Sequence, residues 1–383
     1  MSHPVAPLVE FDASTGRYSA NEETLQWISA HDRPFGVIAC AGKYRTGKSF
    51  LLNQLTAASS GFGVGDTVQA CTKGLWVCRH FFRVSADLDV LFVDTEGIDA
   101  LDASDDTDVR IFTLALLLSS CFLYNSVGHI DEASLTTLGL MTRVTETIQK
   151  TSDDLHAIRE QMPTFVWVLR DFSLRLESKH GGTLAPNEYL EEALGTGDAS
   201  ANAADRTATR RAICDFFASR HLYTLPRPTK SGSAQDINGK PWLLNRDFAS
   251  GVVDLQQGLY SVLKPMHTQG DAALTGSMYA ELVRHMAAHG TSSLPVMRDT
   301  WSLMASVHAR DFKDALLKRL GAQLDELQPD ETSLLQQRAA ALVGALVVDF
   351  ERNCLQPVDA KVRADLERDA TTAAERRVSA IGH

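Results

Sequence analysis

The sequence predicts an α/β protein: a P-loop domain with a mostly parallel central sheet flanked by helices, followed by an α-helical C-terminal region. Three observations carry this reading. A glycine-rich stretch at residues 42–49 lies between an apolar strand and a helical pattern. Short apolar runs then alternate with helical segments as far as residue 263, the pattern of strands paired in parallel with helices on both faces. From residue 294 onward, apolar residues recur only at helical spacing.

Taken in order, Val9-Glu10-Phe11 and Gly16-Arg17-Tyr18 read as a hairpin turning at Asp12 to Thr15, and Glu22 to Ala30 as a helix. Pro34 to Ala41 is an apolar run of buried-strand type, and Leu51, Leu52 and Leu55 share one helix face. Gly61 to Gly74 is rich in Gly and Thr and predicts a long loop. Leu75 to Val84 reads as one strand, and Asp89 to Asp94 as a buried strand ending in Asp94-Thr95-Glu96-Gly97. Aspartates at 99, 102, 105, 106 and 108 mark an exposed loop. Val109 to Ser119 follows as an apolar helix and Phe122 to Tyr124 as a strand. Glu132 to Lys150 reads as an amphipathic helix and Phe165 to Leu169 as another buried strand. Residues 178–206 predict irregular chain around a short helix, and helical patterns return at Arg210 to Ser219 and Phe248 to Leu263.

In the last region, apolar positions 297, 301, 304, 312, 316, 320, 324 and 327 make one helix, broken at Pro329. At 1.5 Å per residue it would be roughly 50 Å long. A second set runs 335, 342, 346, 350, 354, 358, 362 and 366, with Pro357 as a kink or break. Two helices alone bury little, so this region must dock, dimerise or belong to a longer bundle. The expected division is 1–275 and 276–383.

The 383 residues, 44% apolar and 22% charged, suit a soluble globular protein. A net charge of −11 argues against a broad nucleic-acid surface. The six cysteines have no Cys-x-x-Cys pair or metal-ligand spacing and read as free thiols. No signal-peptide pattern or prenylation box is present, and the longest apolar run, Leu114 to Leu118, is too short to span a bilayer. A cytoplasmic protein without a transmembrane segment is the expectation.

The chemistry centres on Gly42-Lys43-Tyr44-Arg45-Thr46-Gly47-Lys48-Ser49, which fits G-x-x-x-x-G-K-[ST]. In that pattern, loop N–H groups and a helix N-terminus wrap a phosphate chain. Lys48 would reach the β- and γ-phosphates, and the Ser49 hydroxyl would ligate Mg²⁺. Asp94 ends the following strand and would hold the same ion through water, while the Gly97 N–H meets the γ-phosphate. Arg45 reads equally as a cis arginine finger or as a solvated loop arginine. Thr67 and Thr72 both lie where a metal-binding switch threonine belongs, and spacing does not choose between them. The guanine-reading Asn-Lys-x-Asp does not occur. Arg170-Asp171 follows the Phe165–Leu169 strand, and Asp171 could accept hydrogen bonds from a guanine or cap the next segment.

At these residues the chain resembles the guanylate-binding protein family, dynamin-superfamily large GTPases related to the atlastins. The resemblance lies in Gly42–Leu52 (GKYRTGKSFLL), Gly61–Trp76 (GFGVGDTVQACTKGLW), Asp94–Gly97 (DTEG), Leu116–Gly128 (LLLSSCFLYNSVG) and Phe165–Glu177 (FVWVLRDFSLRLE). Weaker echoes follow at Arg227-Pro228, Leu274-Thr275-Gly276 and Leu294-Pro295. The resemblance implies a GTPase (G) domain over 1–275, then a linker and helical domain. It implies GTP as substrate, Mg²⁺ as cofactor, Arg45 as the finger, Thr72 as the switch threonine and Glu96 as an organiser of the attacking water. Arg170-Asp171 becomes the guanine-reading pair, and Phe50 and Gln69 join the nucleotide contacts. It further implies that two G domains meet face to face as a homodimer and that dimerisation raises turnover. Ala70 stands where many members carry a serine, and Cys71 where a histidine follows, so slower hydrolysis or reliance on the backbone and Glu96 is expected. The helical part is shorter than the family's usual arm, and no atlastin-like transmembrane pair is present. The leading reading is a Mg²⁺-dependent GTPase stimulated by dimerisation. The alternative is a nucleotide-gated assembly scaffold with weak hydrolysis, and an ATPase stands third.

Overall fold

The computed structural model describes residues 4–12, 17–57, 61–63, 74–95, 106–139, 162–178, 181–195, 203–229, 237–238, 240–267, 273–288, 297–327, 332–354 and 360–381. It divides into two compact units, Met1–Met297 and Arg298–His383.

The first unit is built on one mixed sheet. Its strands are β1 (Val5–Asp12), β2 (Arg17–Ala20), β3 (Phe35–Ala41), β4 (Leu75–Cys78), β5 (Phe82–Arg83), β6 (Asp89–Thr95), β7 (Cys121–Val127), β8 (Thr164–Arg170) and β9 (Arg220–Thr224). The order across the sheet is β2-β1-β4-β6-β3-β7-β8-β9, with β5 pairing onto β6. From β6 to β9 the pairs are parallel; the β1, β2, β4 and β5 pairings are antiparallel. Every residue of β3, β6 and β8 is buried, as continuous apolar runs covered on both faces require.

The α-helices of this unit among the described residues are α1 (Glu22–Ser29), α2 (Lys48–Leu55), α3 (Asp106–Leu117), α4 (Glu132–Thr137), α5 (Pro186–Leu194), α6 (Ala203–Phe216), α7 (Arg246–Val262) and α8 (Gly276–Ala288). On one sheet face Ile38, Cys40, Phe92, Leu123 and Val168 form a core with Phe50 and Leu51 of α2 and Phe248 and Leu255 of α7. On the other, Phe122 meets Phe112 of α3 edge-on at 5.1 Å, and Phe165 meets Phe217 at 4.8 Å. Alternation along β7 thus sends Phe122 and Leu123 to opposite layers.

The hairpin, α1, β3, β6 and β8 lie where the sequence places them. The expected Leu75–Val84 strand is instead β4 and β5, interrupted at Arg79–Phe81. Phe81 stacks on His31 at 3.7 Å and on Trp27 at 4.9 Å, and Arg79 pairs with Glu23 at 2.6 Å. Packing on α1 and the turn after it thus takes these residues out of the ladder. α3 already begins at Asp106, within the expected aspartate loop, and residues 96–105 lie outside the described residues. Of the expected Glu132–Lys150 helix, α4 ends at Thr137 and residues 140–150 lie outside the described residues. β9 has no counterpart in the sequence reading; its half-buried, polar-rich RHLYT reads as loop until β8 pairs with it.

The geometric division also falls after Met297 rather than at 275/276, since α8 packs on α1, β1 and β2. A Cβ on Gly276 would lie 2.1 Å from the Ile28 carbonyl oxygen, so only glycine lets this helix seat. Tyr279 is fully buried, and its hydroxyl donates to the Leu118 carbonyl at 2.8 Å.

The second unit contains α9 (Met297–Asp325), α10 (Thr332–Asn353) and α11 (Ala360–Ile381). Pro357 falls between α10 and α11, and the described residues of the unit hold three helices rather than two, enough to enclose a core. Leu316, Leu320, Leu335, Phe350, Leu366 and Ala370 form it. Arg377 of α11 donates to the Leu324 and Asp325 carbonyls at 3.1 and 3.0 Å, binding the end of α9. No described helix is long and apolar enough to cross a membrane.

Candidate functional site

The phosphate loop joins β3 to α2 at the C-terminal edge of the parallel strands. Gly42 has φ 151°, and a Cβ there would lie 2.1 Å from the Asn125 carbonyl oxygen. Gly47 is the N-cap of α2 in the left-handed conformation, which only glycine adopts cheaply. Lys48 is buried, and its ammonium donates to the Gly42 and Lys43 carbonyls, both at 3.2 Å. Thr46 closes the loop, its hydroxyl donating to the Lys43 carbonyl at 2.9 Å. Arg45 is exposed, holds φ 63°, and lies 5.5 Å over the ring of Tyr44.

Beside the loop the Ser49 hydroxyl donates to Asp94 Oδ2 at 2.5 Å. Burial pushes the Asp94 carboxyl up to about 6, against the pull of Lys48, Ser49 and the Thr95 N–H. Burial, then the neighbouring Asp94, drives the Cys40 thiol far above its ordinary range, leaving it an inert wall. A hydroxyl and a carboxylate converging without sulfur or nitrogen form a hard oxygen donor set, which suits Mg²⁺. Among the described residues no group of three His, Cys, Asp or Glu side chains forms a rival metal site.

Arg170 and Asp171 separate in the structure. Arg170 is 4% exposed, with its guanidinium 5.6 Å from the Phe50 ring and 5.3 Å from the Phe248 ring. It donates to the Gly47 carbonyl at 3.4 Å, and burial lowers its pKa to about 10. It therefore braces the loop from behind. Asp171 is part-exposed in a left-handed conformation of φ 55°, with Arg227 at 3.9 Å. Asp tolerates that conformation better than most residues, and it turns the side chain out at the strand end.

Two asparagines complete the site without having been singled out in the sequence. Asn125 Nδ2 donates to the Thr46 carbonyl at 2.9 Å. Asn53 of α2 takes the Phe62 N–H at 2.8 Å, donates to the Phe62 carbonyl at 2.9 Å and to Asn238 Oδ1 at 3.3 Å. Both are ordinary polar residues until the fold brings their distant partners in. Gln69, Thr72, Glu96 and Gly97, with Thr67, Ala70 and Cys71, lie outside the described residues.

The family profile "Guanylate-binding protein, N-terminal domain" matches residues 15–267. The chain belongs to the guanylate-binding protein family. It is 30% identical to guanylate-binding protein 1 of Mus musculus over 95% of this chain and 64% of that protein. It is likewise 30% identical to guanylate-binding protein 2 of Rattus norvegicus, with the same coverage. To guanylate-binding protein 1 of Homo sapiens it is 32% identical over 80% of this chain and 54% of that one. The chain thus spans 54–64% of the length of these guanylate-binding proteins, less than two thirds, and the family profile covers the sheet unit rather than the three-helix unit.

Proposed function

We propose that the chain is a Mg²⁺-dependent GTPase. The observation that carries this is the Ser49–Asp94 contact of 2.5 Å beside a loop whose Lys48 ammonium already gathers carbonyl oxygens. Ser49 and Asp94 would hold the ion, with Thr72 as the expected third contact. A magnesium ion held there would supply positive charge to offset that of the phosphate oxygens. Lys48 exchanges its loop carbonyls for those oxygens, and the loop N–H groups with the α2 N-terminus take the remaining charge. Asp171 accepts from the guanine edge, while Arg170 supports the loop rather than reading the base.

Turning inward costs Arg45 its contact with Tyr44, about 0.5–1 kcal/mol for an exposed cation–π pair. In exchange the guanidinium reaches the bridge oxygen, whose bond to the γ-phosphorus breaks as water attacks in line. Glu96 and the backbone near Ala70 are the groups to orient that water. A second copy facing the site would favour the inward arginine, so specific activity rises with protein concentration.

Multiple-turnover phosphate release tests this. The unaltered protein should cycle with GTP and Mg²⁺. Arg45→Ala should lose roughly 10³-fold in turnover while GTP binding persists. A single burst without further turnover would instead support the nucleotide-gated scaffold, the reading favoured by alanine at position 70. Displacement of labelled GTP by excess ATP would refute guanine selectivity.

A further inference from the structure

Asn125 is fully buried at the C-terminal end of β7, one residue beyond the pairing of Tyr124 with Ala41. Both halves of the residue touch the phosphate loop. Its carbonyl oxygen occupies the place where a Gly42 side chain would begin. Its amide nitrogen donates to the Thr46 carbonyl at 2.9 Å, and Oδ1 is sealed from solvent and accepts no hydrogen bond among the described residues. The amide orientation is forced, because the flipped form would set Oδ1 against the Thr46 carbonyl oxygen.

A trans peptide unit is planar, so its C=O and N–H point in opposite directions. Anchoring the Thr46 carbonyl on Asn125 therefore turns the Gly47 N–H away from β7. Gly47 is the N-cap of α2, where backbone N–H groups meet an anion. The next carbonyl, that of Gly47, is held by Arg170 at 3.4 Å and by the helical bond from Leu51. Consecutive peptide units are thus fixed from behind by side chains of β7 and β8.

We propose that Asn125 is a positioning residue for nucleotide binding: it clamps the Thr46–Gly47 peptide so that the Gly47 N–H is presented to the β-phosphate of a guanosine di- or triphosphate. This rests on the reading of the site as a guanine-nucleotide site. Asn125 touches no phosphate itself. Its effect appears only with ligands long enough to reach the aimed amide, so GDP feels it and GMP does not.

Calorimetry of the full chain with GDP and with GMP separates this role from general support of the fold. Asn125→Ala should weaken GDP roughly tenfold and leave GMP within about threefold, since one lost hydrogen bond of that size acts on the β-phosphate alone. Asn125→Asp, which sets an oxygen against the Thr46 carbonyl, should weaken GDP further. If Asn125→Ala melts below the assay temperature, Asn125→Ser, too short to reach Thr46, makes the same comparison. Equal loss for both nucleotides, or none, overturns the assignment while leaving the site reading intact. Failure of the unaltered protein to bind either nucleotide overturns both.

Discussion

Two glycines of the sheet unit and two of the three-helix unit face opposite surroundings. Gly42 and Gly276 of the sheet unit press against main-chain carbonyl oxygens, with an added Cβ 2.1 Å away in each case, while Gly321 and Gly344 of the three-helix unit have open space where a side chain would go. The first pair lets two segments of backbone meet and cannot be replaced without moving one of them. The second pair only loosens α9 and α10. In the sheet unit, then, specificity lies in backbone approach around the phosphate loop; in the three-helix unit it lies in one apolar seam, and the rest of each helix is permissive.

The contrast can be broken from either side. The largest effect should come from the seam. Leu320 is fully buried among the three helices, and Leu320→Ala should cost about 2–5 kcal/mol by chemical denaturation. A cost near zero would mean that the seam is not what holds this unit. Next comes Gly42→Ala, which must push the loop off Asn125. Nucleotide affinity should fall roughly 10- to 100-fold, the binding equivalent of an overpacking cost of about 1–3 kcal/mol. Unchanged affinity would show that the loop can retreat without consequence. The smallest effect has the opposite sign: Gly321→Ala should raise stability by about 1 kcal/mol, because alanine is the better helix former and meets nothing. Destabilisation there would mean that the open face is occupied in solution.

What the sequence disclosed follows the range of the interactions involved. The phosphate loop, β3 and Asp94 were legible because residues near one another in the chain define them. The three-helix unit was legible as periodicity, although Pro357 alone did not distinguish a kink from a break. The packing of α8 on the sheet unit is not legible in the sequence, because Gly276 seats against Ile28, far earlier in the chain. That the Arg170 guanidinium lies against Phe50 and Phe248 could not be read from its place after a strand, because both rings come from distant parts of the chain. Asn53 stands in no motif, and Asn125 lies within the Leu116–Gly128 resemblance without a role attached to it, since each acquires its partners only on folding.

Asn53 lies in the second turn of α2, behind Lys48 and Ser49, and grips Phe62 and Asn238 with a single carboxamide. Two chain segments far apart in sequence are therefore fastened to one rivet. Displacing either segment must carry the other along or tear it free, and either event is felt one helical turn from Ser49.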